Sequence, residues 1–174
     1  MWAGPGFRFL VRLTREGALQ LGGVLMIRLM VLALPLLLAG SGATSQPMNS
    51  SDMKWAPAEG FPPGAQMALL SGDPTKAGLF TVRLKMPPRY TIGPHWHPSD
   101  ELVTVVDGTL SLGMGDGVDK AKSANLAIGG YALAPAKMHH YAYTGAEGAT
   151  VQVTAMGPFA ITYVNSADDP RHPK

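Results

Sequence analysis

The chain has 174 residues, a formal net charge of +2 and no cysteine. A chain of this length is expected to form a single domain. Without cysteine it can contain neither a disulfide framework nor a thiolate nucleophile or metal ligand, so nitrogen and oxygen atoms would have to hold any metal ion.

The first 43 residues predict a secretory signal peptide. Arg28 precedes an apolar run of ten residues, 29–38, and small residues follow at 39–43. The run is shorter than the roughly 20 residues that span a bilayer. We therefore expect a Sec-type leader (residues 1–43) cleaved after Ala43, a periplasmic or secreted product, and no stable membrane insertion after cleavage. The stretch before Met26 is long for such a leader, so translation from Met26 or Met30, or retention of the leader as an anchor, are alternatives.

The basic character of the chain is confined to this leader. Beyond residue 43 the sequence has ten basic and eleven acidic residues. No basic surface is then expected, and nucleic-acid binding is excluded as a function.

The remainder has the pattern of short strands joined by tight turns. Residues 44–65, rich in Ser, Pro, Gly and Ala, predict an extended segment leading into a barrel at 66–164, and the polar residues 165–174 predict a loose tail. Asp107 and Gly108 have the composition of a two-residue hairpin turn and predict one at this point. The pattern predicts an all-β antiparallel sandwich or barrel. The predicted strands are 66–70, 78–86, 101–106, 109–114, 126–128, 131–135, 139–143, 150–156 and 160–164.

Four of the five histidines fall in two short clusters. Side chains alternate along a strand, so His95 and His97 would share one face with their Cβ atoms roughly 6.6 Å apart. A chain reversal after His97 could bring the Glu101 carboxylate back to the same ion, with Asp100 as the alternative. His139 and His140 would face opposite sides of a strand, so only one of them could join a shared site. The set would be three nitrogens and one oxygen with open coordination positions.

These clusters resemble the two sequence motifs of the cupin superfamily. The first motif is Gly, five residues, His-x-His, three or four residues, Glu, six residues and Gly. The second is Gly, five residues, Pro-x-Gly-x-x-His, three residues and Asn. The chain matches the motifs at His95, His97, Glu101, Gly108, Gly129, Pro135 and His140. It departs from them at Arg89 and Lys137, which stand at glycine positions, and at Thr144, which stands at the asparagine position.

The resemblance implies a cupin jelly-roll β-barrel (double-stranded β-helix) with one divalent transition metal ion on His95, His97, Glu101 and His140. His139 is then the alternative to His140. Small single-domain bacterial cupins are the most similar group. The cupin fold alone does not determine which reaction, if any, a protein catalyses.

Two functions are compatible with these residues. The first is a metal-dependent enzyme acting on a small molecule, an oxygenase (dioxygenase-like oxidoreductase), isomerase or lyase, in which Glu101 could leave the metal and serve as a base. The alternative is a non-catalytic periplasmic cupin that binds or senses a small molecule or metal. The expected partner is a small-molecule substrate or ligand, and the chain could form a homodimer.

The metal would be chosen by the compartment in which the chain folds. Arg28 stands alone before the apolar run, so we expect export as an unfolded chain and metal loading outside the cytoplasm. Zinc or copper is then favoured, because they bind nitrogen and oxygen sites most tightly, with iron, manganese or nickel as alternatives.

Overall fold

The computed structural model describes residues 47–172. The predicted leader and its cleavage site after Ala43 therefore lie outside the described residues. Within 47–172 the only helices are single 3-10 turns at Ser50–Asp52, Lys120–Lys122 and Ser166–Asp168. No helix in this part of the chain is long and apolar enough to cross a membrane. The strands are β1 (Ala56–Pro57), β2 (Gln66–Ser71), β3 (Gly78–Met86), β4 (Thr91–Trp96), β5 (Glu101–Met114), β6 (Ala124–Leu126), β7 (Tyr131–Ala134), β8 (His140–Gly157) and β9 (Thr162–Tyr163).

The prediction of an all-β antiparallel fold is confirmed. The strands form one sheet that curls over itself, because β5 and β8 pair with each other along almost their whole length and each belongs to both halves. In one half, β3 pairs with β8 from 149 to 157 and β7 pairs with the start of β5. In the other half, β4 pairs with the start of β8 and β6 with the end of β5.

The hairpin turn predicted at Asp107 and Gly108 is wrong. β5 continues through both residues, which pair with Thr150 and Ala149 of β8. The register shifts on either side of them, so the strand bends and does not reverse. Gly108, at φ 70°, supplies the bend. The two strands predicted from 139 to 156 are likewise one bent strand, β8.

The core lies between the two halves of the curled sheet. Burial alternates along β3: Phe80, Val82, Leu84 and Met86 are buried, whereas Leu79 is 63% exposed. Val103 and Val105 of β5 and Val151 and Val153 of β8 meet them in one apolar cluster. The core also extends to Ile92, Leu112 and Ala142 of the other half.

Segments on either side of the barrel are attached to one end of it. In the loop after β1, the backbone oxygens of Gly60 and Pro62 accept hydrogen bonds from the hydroxyls of Tyr163 and Tyr90. In the segment predicted as a loose tail, Arg171 donates to the Ile161 carbonyl at 2.9 Å and to both carboxylate oxygens of Asp169 at 2.7 Å. The first loop and the tail thus contribute to the same mouth of the barrel.

Two residues with side chains adopt the left-handed backbone conformation that favours glycine. They are Arg89 at φ 54° and Lys137 at φ 62°, the two positions where the cupin motifs have glycine. Thr144, at the motif asparagine, holds the first of these turns: its Oγ1 accepts from the Tyr90 N–H at 2.9 Å and donates to the Pro87 carbonyl at 2.7 Å. The turns of the motifs are therefore kept at the cost of backbone strain.

Replacing Arg89 or Lys137 with glycine is expected to stabilise the fold. The left-handed conformation costs a non-glycine residue about 1–2 kcal/mol, partly offset by about 0.4–1 kcal/mol from the greater freedom of glycine in the unfolded chain. Thermal denaturation of Lys137→Gly should give a Tm a few degrees above that of the parent. Lys137→Ala is the matched control and should give no increase.

Candidate metal centre

Three histidines are placed together by the ends of two paired strands. His95 lies near the end of β4 and His140 begins β8, and the two are direct partners across the sheet. His97 follows β4 by one residue. Antiparallel pairing therefore brings residues from the two distant clusters to one point.

The three imidazoles converge inside the barrel. His95, His97 and His140 are 3%, 2% and 2% exposed. One ring nitrogen from each lies within 4.8 Å of the others. Ring centroids are separated by 5.0 Å between His95 and His97 and by 4.3 Å between His95 and His140.

Backbone carbonyls fix the orientation of all three rings. The Nδ1 atoms of His95, His97 and His140 lie 2.7, 2.8 and 3.0 Å from the carbonyl oxygens of Gly93, Ala160 and Met138. A carbonyl accepts only, so each Nδ1 carries the proton and donates it. In the neutral ring each Nε2 then presents a lone pair, which is the tautomer of a metal-ligating histidine.

These nitrogens fit a metal ion. The Nε2 atoms of His97 and His140 are buried and have no hydrogen-bond partner. A buried polar atom without a partner costs free energy, which a bound cation would remove. Together with His95 these two histidines form a group of three imidazoles, a ligand set that suits a first-row divalent ion, so the histidines could hold a metal.

Glu101, the first residue of β5, lies beside this cluster. Its Oε2 is 3.4 Å from the Nε2 of His140 and 3.6 Å from that of His97. Its side chain is 12% exposed. The chain reversal at 98–100 therefore returns a carboxylate to two of the three histidines.

A family comparison identifies the fold. A family model described as the ChrR cupin-like domain matches residues 44–160. The chain belongs to this cupin family.

Known relatives of this cupin differ in length and function. It is 36% identical over 78 residues to germin-like protein 9-2 of Oryza sativa subsp. japonica, a match covering 44% of this chain and 36% of that protein. The chain thus spans little more than a third of that relative's length. The polyketide cyclase RemF of Streptomyces resistomycificus superposes with a TM-score of 0.61 at 18% identity, over 72% of this chain and 89% of RemF. A candidate acetylacetone dioxygenase of Methylibium petroleiphilum PM1 superposes with a TM-score of 0.54 at 19% sequence identity. This match covers 75% of this chain and 88% of that protein. Such structural likeness establishes the fold and leaves the reaction open.

Burial and the neighbouring charges set the protonation of the cupin site. Burial, helped by the other two imidazoles, lowers the pKa of His95 to about 3. Burial also lowers the pKa of His97. Burial would lower the pKa of His140 too, but the Glu101 carboxylate outweighs it and raises that pKa. Burial would raise the pKa of Glu101, but the histidines hold it below its ordinary value. The site therefore pairs an ionised carboxylate with imidazoles of which His95 resists protonation most strongly.

The metal-free cupin is expected to lose stability as the pH falls below about 6.5. His95 has a folded pKa of about 3 against an ordinary 6.5, so the unfolded chain binds this proton first. The contribution of neutral His95 to the free energy of unfolding is fully present above pH 6.5. It is lost as the pH falls towards 3, at up to about 1.4 kcal/mol per pH unit. Urea denaturation after chelation, from pH 7.5 to 5, measures this slope. His95→Gln, which cannot titrate, should give a shallower slope, and an identical slope would contradict the assignment.

The other sequence candidates lie elsewhere. The Nδ1 of His139 is 2.6 Å from Asp116 Oδ1 on the outside of the barrel. Asp100 accepts a hydrogen bond from the Ala136 N–H at 2.7 Å. The structure thus brings His140 and Glu101, and neither His139 nor Asp100, to His95 and His97.

A cavity of about 340 Å³ opens beside Glu101. Glu101 and Phe61 also line a smaller internal space of about 30 Å³, whose other lining residues include His95 and His140. Its walls include Phe159, whose ring stacks on His97 at 4.3 Å, and its outer end includes Arg171. The sequence analysis did not identify Phe61 or Arg171 as part of a cavity, because both belong to segments without strand periodicity.

Proposed function

We propose that this chain is an exported cupin in which His95, His97, His140 and Glu101 hold one divalent transition metal ion, and that it is a metal-dependent enzyme acting on a small molecule. The observation that supports this best is the pair of buried, unpartnered Nε2 atoms of His97 and His140. They lie with that of His95 around one point. A barrel serving only as a scaffold would fill this position with apolar side chains, because buried imidazoles without partners are costly.

Three of the four proposed ligands are held in place before any ion binds. The carbonyls of Gly93, Ala160 and Met138 fix the three rings by their Nδ1 atoms. Such hydrogen bonds to the outer nitrogen usually strengthen metal binding. Stacking of Phe159 on His97 adds a packing constraint on that ring.

The chemistry follows from the place of Glu101. A bound divalent ion would polarise an oxygen function of the substrate or bind dioxygen. Glu101 lines both the cavity and the inner space, so its carboxylate is within reach of a molecule in either. We propose that it moves away from the ion and accepts a proton from that molecule. The apolar walls exclude water from this transfer.

The second candidate is a non-catalytic periplasmic cupin that binds or senses a small molecule or metal. One observation favours it: among residues 47–172, the ionisable groups lining the cavity are Glu59, Glu101 and Arg171. Glu101 has no neighbouring second acid or base in that cavity. Turnover of a ligand would support the enzyme, and binding without conversion would support the second candidate.

The decisive experiment uses protein recovered from the cells that produce it. We expect an N-terminus near Thr44 in the exported fraction and about one zinc or copper ion per chain. Elemental analysis and N-terminal sequencing measure both. An intact Met1 in the cytosol would refute export. Protein without metal would refute the metal centre, and iron or manganese at about one ion per chain would refute metal selection outside the cytoplasm.

A further inference from the structure

The cavity beside Glu101 has apolar walls over most of its surface. They are formed by Phe61, Met67, Phe80, Val82, Leu84 and Phe159. At about 340 Å³ the cavity is near the lower end of the roughly 300–1,000 Å³ typical of small-molecule sites. Apolar walls of this extent favour a compact ligand that leaves water with its carbon surface.

Aromatic rings give this cavity flat, fixed walls. One face of the Phe159 ring is stacked on His97 with an interplanar angle of 21°, and Phe80 meets Phe159 edge-on with centroids 5.2 Å apart. Phe61 lines both the cavity and the inner space. Its loop is tied to the barrel by the bond from Tyr163 to Gly60 at 3.0 Å. Rings held in this way offer preformed surfaces for another ring.

The charges at the outer end disfavour an anion. Arg171 is bidentate to Asp169, with Nε and Nη2 each 2.7 Å from a carboxylate oxygen, so its charge is already matched. Glu59 is also at this end, and within residues 47–172 no cation lies within ion-pair distance of it. At the inner end Glu101 lies beside His97 and His140, which match its charge. Among the ionisable groups of this lining, Glu59 is therefore the uncompensated one, and it repels a negatively charged group at the outer end.

We propose that the ligand of this cavity is a compact, ring-bearing molecule that is largely apolar, carries no negative charge at the outer end and presents an oxygen function at the Glu101 end. The last feature rests on the proposed metal centre. The ring-bearing character and the lack of a negative charge at the outer end rest on the cavity walls alone.

Two fluorescent probes with the same aromatic skeleton test this. N-phenyl-1-naphthylamine is neutral, and 8-anilinonaphthalene-1-sulfonate adds one negative charge. Titrated into the protein as purified, the neutral dye is expected to saturate at about one per chain, with a Kd at least about tenfold below that of the sulfonate. Equal or tighter binding of the sulfonate, or no binding of the neutral dye, would overturn the proposal.

Matched variants locate the dye. Phe61→Ala should raise the Kd of the neutral dye about tenfold by removing a ring from the wall. Leu133→Ala removes an apolar side chain of the exposed outer surface, 45% exposed, and should leave the Kd unchanged. The reverse pattern would place the dye on the outer sheet face and overturn the assignment to the cavity.

A third variant avoids any effect on folding. Glu59 is exposed, and Glu59→Gln keeps its shape while removing its charge. This variant should lower the Kd of the sulfonate dye about threefold or more at low salt and leave the Kd of the neutral dye unchanged. An unchanged ratio of the two affinities would refute the role of charge. The neutral dye has no chelating group, so its binding tests the cavity independently of the metal. Protein that binds this dye but contains no metal would refute the proposed function and leave the cavity proposal intact.

Discussion

Replacing His95, His97 or His140 with alanine is expected to remove most of the bound metal. Each change deletes one of three convergent nitrogens that lie within 4.8 Å of one another. Removal of an outer partner of a ligating histidine already costs about 10–100-fold in affinity, so loss of the ligand itself should exceed about 100-fold. Elemental analysis after dialysis, and the rise in Tm on adding zinc, measure the loss.

The same experiment tests the choice between neighbouring residues. His139→Ala and His172→Ala should keep the metal, because both residues lie outside the cluster. Glu101→Gln should weaken binding less than loss of a histidine, since the amide oxygen can still ligate. Loss of metal in His139→Ala with retention in His140→Ala would assign the ligand to His139.

Gly108→Ala is expected to destabilise the fold strongly, and more than the same change at Gly129. A Cβ at this position would overlap the carbonyl oxygen of Gly148 in the facing strand and lie 3.0 Å from the Ala149 Cα. The backbone conformation, at φ 70°, adds about 1–2 kcal/mol. Overlap with backbone typically adds about 1–3 kcal/mol more. The total is a large share of the stability of a small domain.

Gly129→Ala is the matched control for this change. Gly129 has a similar φ of 82°, but a Cβ there would meet no atom within 4 Å. The Gly129→Ala variant should therefore lose only about 1–2 kcal/mol of unfolding free energy, the cost of the left-handed backbone conformation. Denaturant unfolding of both variants measures the difference. Equal destabilisation would mean that the approach of β5 to β8 at Gly108 can relax.

The site residues were predictable because their chemistry is encoded locally. His95 and His97 are two residues apart, and the matched motif spacing pointed to Glu101 and His140. The alternation in β3 also predicted its buried face, since a strand has a period of two. The same reasoning could not detect Arg171, because a polar segment with two prolines contains no periodicity that shows where it packs.

The strand connections were less predictable because partners distant in sequence decide them. Asp107 and Gly108 have hairpin chemistry, yet pairing with Thr150 and Ala149 keeps them within one strand. β4 was absent from the predicted strands because Gly93 and Pro94 interrupt its apolar pattern. Its pairing with β8 supplies the stability that local propensity lacks.

The position of β8 has a consequence for the timing of folding. This strand pairs with β3, β4 and β5, and it is synthesised after all three of them. Until it is synthesised, both halves of the sheet lack their central partner and the histidine cluster lacks His140. Folding must therefore follow synthesis, and the dominance of long-range pairing makes it slow. A nascent chain that stays unfolded for this time would be compatible with the proposed export, in which the chain crosses the membrane before the barrel closes.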